Sequence, residues 1–245
     1  MSIKLEHVVL ASPEQMEFII EGMRNPMNSW EKSDSDVKCS MDVIGNCLND
    51  KEYLLCDDCT NFKLGPNDHS LMQRLSNAGT EHRKYMRMMP VYVRITAPLY
   101  WWKEFDTYKV GTVANSCSTM HKIAEKEFTM EDFSCEHLII QSKDRFEKIV
   151  GTLNCYRDTY VNWDRQEDGI RRAFNYEKKQ VWWQMIQLLP SSYNQTRNVM
   201  LNYEVLANIY RQRKNHKLDE WREVCKWIET LPYSELITGG NSDDE

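Results

Sequence analysis

No apolar run in this sequence approaches the roughly 20 residues that cross a bilayer. The first ten residues carry Lys4, Glu6 and His7, which interrupt any signal-peptide core. There is no excess of positive charge either. Thirty-one Lys and Arg against 37 Asp and Glu leave a net charge of −6, with a pI of about 5.6. A protein that grips a duplex needs a basic face, so a nucleic acid polymer is excluded as a partner. A single nucleotide needs only a few cations in a pocket and is not excluded. No repeat of fixed period occurs. These absences lead us to expect a cytoplasmic protein with no membrane association. In that compartment the 8 cysteines stay as thiols.

What is present describes a folded chain. Its 245 residues suffice for a buried core, and 41% of them are hydrophobic. The 8 Trp and 12 Tyr exceed what disordered chains carry.

Ile3 to Ala11 partly alternates and is rich in β-formers, so it reads as a strand. Ser12, Pro13 and Gln15 then spell an N-cap, a first helical position and a capping box. The helix they open runs through Met23 and stops at Asn25-Pro26. Residues 30–65 read as an irregular Cys- and Asp-rich insertion with one short strand at Tyr53–Leu55. Asp68 reads as the cap of a helix that ends near Ala78-Gly79. Tyr85 to Ala97 reads as one or two strands, with Pro90 at an edge or bulge.

The run Leu99-Tyr100-Trp101-Trp102-Lys103-Glu104-Phe105 reads as a buried helix. Val110 to Ser118 is small and polar and reads as a loop. Beyond it, apolar residues recur at helical spacing: Phe146, Ile149, Val150, Leu153 and Tyr160, then Val181, Met185 and Leu188, then Val205, Leu206 and Ile209. Lys217 to Ile228 is a last amphipathic helix, and residues 239–245 read as a disordered tail. Strands early and helices late make an α+β fold, taken as a single domain over 1–238.

The chemistry-bearing stretch runs from Thr80 to Lys122. It holds Glu81-His82, a strand-like stretch, Pro98, the aromatic run, then Thr107-Tyr108-Lys109 and Asn115-Ser116-Cys117-Ser118-Thr119-Met120-His121. A second group lies far along the chain. Leu188-Leu189-Pro190 is followed, twelve residues after Pro190, by Asn202-Tyr203-Glu204-Val205-Leu206, and Arg213 stands eleven residues after Asn202.

This order resembles the flavin-dependent thymidylate synthase family. That family has a Glu-His pair, an aromatic helix near W-R-Q-W, an R-H-R triplet, N-E-x-S-x-R-Y, then V-L-P and N-A-R-S-L with a later arginine. The resemblance covers most of the chain outside residues 30–65. It implies a central mixed or antiparallel sheet with flanking helices, assembled as a homotetramer. It also implies bound FAD, NADPH and methylenetetrahydrofolate as co-substrates, and methylation of dUMP at C5.

Carried over residue by residue, the resemblance assigns His82, Thr107, Tyr108, Lys109, Asn115 and Asn202 to the flavin. It assigns Ser118, His121, Lys122 and Arg213 to the nucleotide, with Lys109, Ser118 and Arg213 closest to the chemistry. Cations near the uracil and its phosphate offset the charge of a dianion. Three positions depart from the pattern. Thr107 stands for the first arginine of the triplet, Met120 for the S-x-R arginine, and Ile186 for the arginine before V-L-P. These departures leave room for another pyrimidine nucleotide or a hydroxymethyl adduct, and for a non-catalytic binding relative.

Other residues carry two readings each. Cys56 and Cys59, with Cys39 and Cys47 upstream, have the type but not the spacing of a zinc knuckle, and we expect free thiols and no metal. An unrelated helical protein around such a zinc site is the remaining class. Cys117 is a nucleophile beside Ser116 and His121, or a passive loop thiol. His82 lies near the flavin, or hydrogen-bonds at a strand start. Trp101, Trp102, Trp182 and Trp183 read as core.

Overall fold

A computed structural model describes residues 3–38, 61–165 and 177–239. The expected strand at Tyr53–Leu55, the cysteines 39, 47, 56 and 59, and the tail from residue 240 lie outside the described residues. The elements are mixed. β1 (Lys4–Leu10), β4 (Pro90–Pro98), β5 (Val113–Ser116) and β6 (Asn194–Asn202) form a four-stranded sheet in the order β1-β4-β6-β5. β2 (Asp36–Lys38) and β3 (Asn61–Lys63) form a separate antiparallel pair. The helices are α1 (Pro13–Arg24), α2 (Pro66–Asn77), α3 (Lys84–Met88), α4 (Leu99–Phe105), α5 (Thr119–Lys122) and α6 (Ile140–Val161). They continue as α7 (Lys178–Leu188), α8 (Tyr203–Arg213), α9 (Asp219–Glu229) and α10 (Glu235–Thr238). The α+β expectation, a sheet with flanking helices, is met.

The first helix starts where local chemistry says it should. Ser12 Oγ accepts from Gln15 N at 3.3 Å and Gln15 Oε1 accepts from Ser12 N at 2.9 Å, a complete capping box. The start of α2 is built differently from the reading above. Asp68 is not its cap. The Asp34 carboxylate reaches across to accept from Asn67 N (2.9 Å) and Asp68 N (3.0 Å), satisfying orphan helix amides. That approach needs a glycine at position 65, since a Cβ there would lie 2.1 Å from Asp34 Oδ1. Asp68 is in the first turn and wholly buried, where it takes the Arg24 guanidinium at 2.6 Å.

Three further readings are corrected. Tyr85 to Met88 is a short helix, and only Pro90 onward is strand, so Pro90 marks a strand's first residue. Within 110–118, Val113–Ser116 is a strand, and every residue of it is exposed, so no buried alternation announces it. Asn194–Asn202 is a strand late in the chain, so strands are not confined to the first half.

The contacts divide the chain into two compact units. One comprises the described residues within 1–6, 94–107 and 114–198. The other comprises those within 7–93, 108–113 and 199–239. All four strands of the main sheet contribute residues to both. In the first unit Trp101, Trp102 and Phe105 of α4 are buried, and their rings touch at centroid distances of 4.9 to 5.3 Å. Trp102 Nε1–H donates to Gln195 O at 2.9 Å. Such a polar handle is what lets a buried indole be satisfied. A second apolar cluster joins Phe128, Phe133, Leu153 and Met185 between α6 and α7. Trp182 is half-buried and Trp183 is exposed, so the core expectation holds for Trp101 and Trp102 but not for Trp183. In the second unit α1, α2, α3, α8, α9 and α10 pack around Ile19, Ile20, Met72, Met86, Leu206, Ile209 and Ile228.

Candidate functional site

The predicted site residues fall into two groups, one in each unit. In the first unit, Thr107 is exposed and closes α4, its Oγ1–H donating to Glu104 O at 2.7 Å. Asn115 stands on the exposed strand β5. Ser118 caps α5, its Oγ accepting from His121 N at 3.2 Å. Lys122 is exposed and pairs with Glu125.

α5 directs these side chains to two different places. Ser118 and Lys122 line a cleft of ≈ 450 Å³ together with Cys117, Thr96, Tyr193 and Gln195. His121 lines a separate cleft of ≈ 460 Å³. Successive helical residues point about 100° apart, so His121 and Lys122 do not face the same way. The first cleft is electrically balanced. Lys4, Lys122 and Lys126 are set against Glu125, Glu131 and Asp132. Lys126 bonds the Asp132 carboxylate, which holds its ammonium above its ordinary range despite some burial. Tyr193, in the same cleft, is raised by burial and then by Asp132.

One residue here went unpredicted. Arg197 of β6 lies over the Trp102 ring, 4.1 Å from its centroid. Its Nη1–H donates to Asp106 Oδ1 at 2.7 Å and its Nε–H to Gln195 Oε1 at 3.0 Å. Gln195 Nε2 then donates to Cys117 O (3.1 Å) and Thr119 Oγ1 (2.9 Å). Cys117 N donates to Thr196 O at 2.9 Å. A continuous chain of bonds thus ties the end of α4, through β6, to the segment carrying Ser118. The available signal was the pattern Arg197, Val199, Leu201 after Pro190, a short strand with a buried apolar end.

In the second unit, Tyr108 is half-buried. Its hydroxyl donates to Gln212 Oε1 (2.8 Å) and accepts from Arg213 Nε–H (2.9 Å). The Arg213 guanidinium lies 4.8 Å from the Trp221 ring centroid, a cation–π contact. Tyr108 meets the same Trp221 edge-on at 5.9 Å. Two predicted residues 105 positions apart are therefore brought together. Lys109 is exposed beside them.

Asn202 is buried and caps α8, its Oδ1 accepting from Val205 N at 3.0 Å. Its Nδ2 faces Gly111, where φ is +78° and an added Cβ would lie 2.8 Å away. Asn202 therefore has a structural task at the 108–113 turn. His82 is half exposed, 3.6 Å from Glu81, in a turn ahead of α3. The strand start assigned to it is a helix start instead.

Cys117 is exposed, whereas burial pushes the Cys225 thiol up to about 11. Among the described residues, no group of acidic, His and Cys side chains is arranged to hold a metal ion. No described helix is long and apolar enough to cross a membrane.

The fold defines a class of known proteins. Two solved structures of the flavin-dependent thymidylate synthase ThyX from Helicobacter pylori, each with FAD and dUMP, superpose on the chain with a TM-score of 0.54. The identity is 14% in one and 15% in the other, over 97% of this chain and 97% and 96% of theirs. At such identity the likeness concerns the fold, and the chain has the fold of that synthase. No family model matches the sequence, and no curated protein matches it.

Proposed function

We propose that the chain is a flavin-dependent enzyme that modifies C5 of a pyrimidine deoxynucleotide, converting dUMP to dTMP. Methylenetetrahydrofolate is the carbon donor and NADPH the reductant. The protein works as a cytoplasmic homotetramer, one domain over residues 1–238, with no nucleic acid polymer or membrane as partner. What supports this reading is the near full-length fold likeness to structures holding FAD and dUMP. The observation that carries it to this chain's own residues is the Tyr108–Arg213 hydrogen bond. It unites the two distant sequence groups that the reading needs side by side.

The residues fit a nucleotide in chemical character. Arg213 offers a guanidinium between two aromatic rings, and Lys109 an exposed ammonium. Together they offset a phosphate dianion. Ser118 Oγ already accepts from His121 N, so its own O–H is left to donate to a ligand. Lys122 adds an ammonium and His121 an imidazole, each facing a different cleft. His82, Thr107, Tyr108, Lys109, Asn115 and Asn202 are assigned to the flavin, Asn202 through the turn it braces at Gly111. Bound FAD, once reduced by NADPH, would supply the hydride for the transferred carbon, and the protein would bind, orient and exclude water.

A second reading, a non-catalytic nucleotide- or partner-binding relative, is favoured by Thr107, Met120 and Ile186 standing where the pattern has arginines. A related enzyme adding a different C5 group, such as hydroxymethyl, is favoured by the same residues. An absorption spectrum of the purified protein with excess FAD, before and after dUMP, separates both flavoenzyme readings from the binding module. Flavin bands that shift on dUMP addition are expected. No bound flavin would reject the synthase in favour of the binding module.

A further inference from the structure

Of the residues assigned above, the second cleft on the first unit takes only His121. It is lined by His121, Ile123, Tyr160, Lys178, Lys179 and Trp182, with Met120 and Ala124, and holds ≈ 460 Å³. Among the described residues that line it there is no carboxylate, in a chain whose net charge is −6. The neighbouring cleft, by contrast, sets three lysines against three acids. Its walls are aromatic and held in place. Trp182 Nε1–H donates to Met120 O at 3.2 Å, and its ring meets Trp183 edge-on at 4.8 Å. The Lys178 ammonium lies 5.3 Å from the Tyr160 ring centroid and 3.0 Å from Asp164, which is outside the lining. Lys179 is exposed at the rim. Ile123 on the floor is 4% exposed and belongs to the same apolar cluster as Leu153 and Met185, which backs the cleft.

A fixed indole face beside the exposed Lys179 ammonium is the arrangement that stacks a flat ring and holds its charge. We propose that this cleft binds a planar aromatic ring bearing an anionic group, phosphate or carboxylate. The ring lies against Trp182 and the anion meets Lys179, since Lys178 is already paired with Asp164. The proposal rests on the cleft alone and stands whether or not the chain binds flavin.

The probes are adenosine monophosphate, 4-aminobenzoylglutamate and neutral adenosine, titrated calorimetrically against the full chain at low salt. Saturation-transfer NMR reads which ring protons contact the protein. At least one anion is expected to bind, with adenosine binding at least about tenfold more weakly. Binding of the phosphate alone or the carboxylate alone names the anion. Lys179→Glu at the exposed rim should weaken binding about tenfold or more. Trp182→Ala should weaken it by about tenfold through lost stacking. Trp182→Phe keeps a ring and should bind better than the alanine variant, which guards against a folding defect. Failure of both anions to bind, adenosine binding as tightly as its phosphate, or affinity unchanged in Lys179→Glu and Trp182→Ala alike would each overturn the proposal.

Discussion

Asp68 and the segment from Ser116 to Lys122 show two opposite uses of polar side chains. Asp68 is wholly buried, and both its oxygens are consumed. One takes Arg24 Nε–H at 2.6 Å, and the other takes the hydroxyls of Ser33 and Ser35 and the amides of Asp34 and Ser35. A carboxylate so saturated holds the chain together and has nothing left for a ligand. The Ser116–Lys122 segment is mostly exposed, and the one ion pair of its side chains among the described residues, Lys122 with Glu125, is itself exposed on both sides. The first region stabilises and the second is open to recognition. Charge and residue type alone do not tell them apart.

That contrast predicts where substitutions will hurt, and the largest effect belongs to Asp68. Asp68→Ala leaves the Arg24 guanidinium buried without its counter-charge and should cost about 3–5 kcal/mol, read by urea unfolding. A cost below about 1 kcal/mol would erase the difference between the two regions. The same group gives a pH signature. Burial by itself would raise the Asp68 carboxyl, but the bonds from Ser35, Ser33, Arg24 and the Asp34 amide outweigh it and hold it below its ordinary 3.8. Its stabilising contribution is then present above that value and lost as pH falls through the lowered folded value. The melting-temperature deficit of Asp68→Asn should therefore be full at neutral pH and shrink on acidification below the ordinary carboxylate range.

Arg197→Ala is intermediate. It removes a guanidinium stacked on Trp102 and bonded to Asp106, at about 1–2 kcal/mol. It should also speed amide exchange at Cys117, whose segment is held through Gln195. Arg197→Lys should not restore protection, since an ammonium lacks the planar fork. Unchanged exchange in Arg197→Ala would mean the bond chain does not brace the segment.

Lys122→Ala should be the mildest. Its pair with Glu125 is exposed on both sides, so thermal stability should change by no more than about 0.5 kcal/mol. A larger loss would move Lys122 from the recognition region into the scaffold.

Legibility followed the range of the interaction. The start of α1 was readable because Ser12, Pro13 and Gln15 bond within three residues of each other. The buried helix α4 was readable because Trp101, Trp102 and Phe105 leave no solvated face. β5 was not readable, since all four of its residues are exposed and carry no alternation. β6 was missed because only its far end, Val199 and Leu201, is buried. Tyr85 to Met89 looked like strand because its Met and Tyr residues are dense, yet five residues of helix suffice to bury Tyr85 and Met86. Asp68 looked like a cap because it sits at a helix start, but the cap comes from Asp34, thirty-three positions from Asn67.

Of the candidate site, motif order alone named Tyr108 and Arg213, and it named Ser118, His121 and Lys122 as one set. Tertiary structure bonded the first pair across 105 positions and split the second set between two clefts. It also supplied Arg197, which no motif named. The sequence by itself determined the α+β class, the start of α1 and the aromatic core helix, because capping and periodic burial act within one or two turns. Which distant groups share a surface was decided only by tertiary packing, since such contacts depend on every intervening element and leave no local pattern.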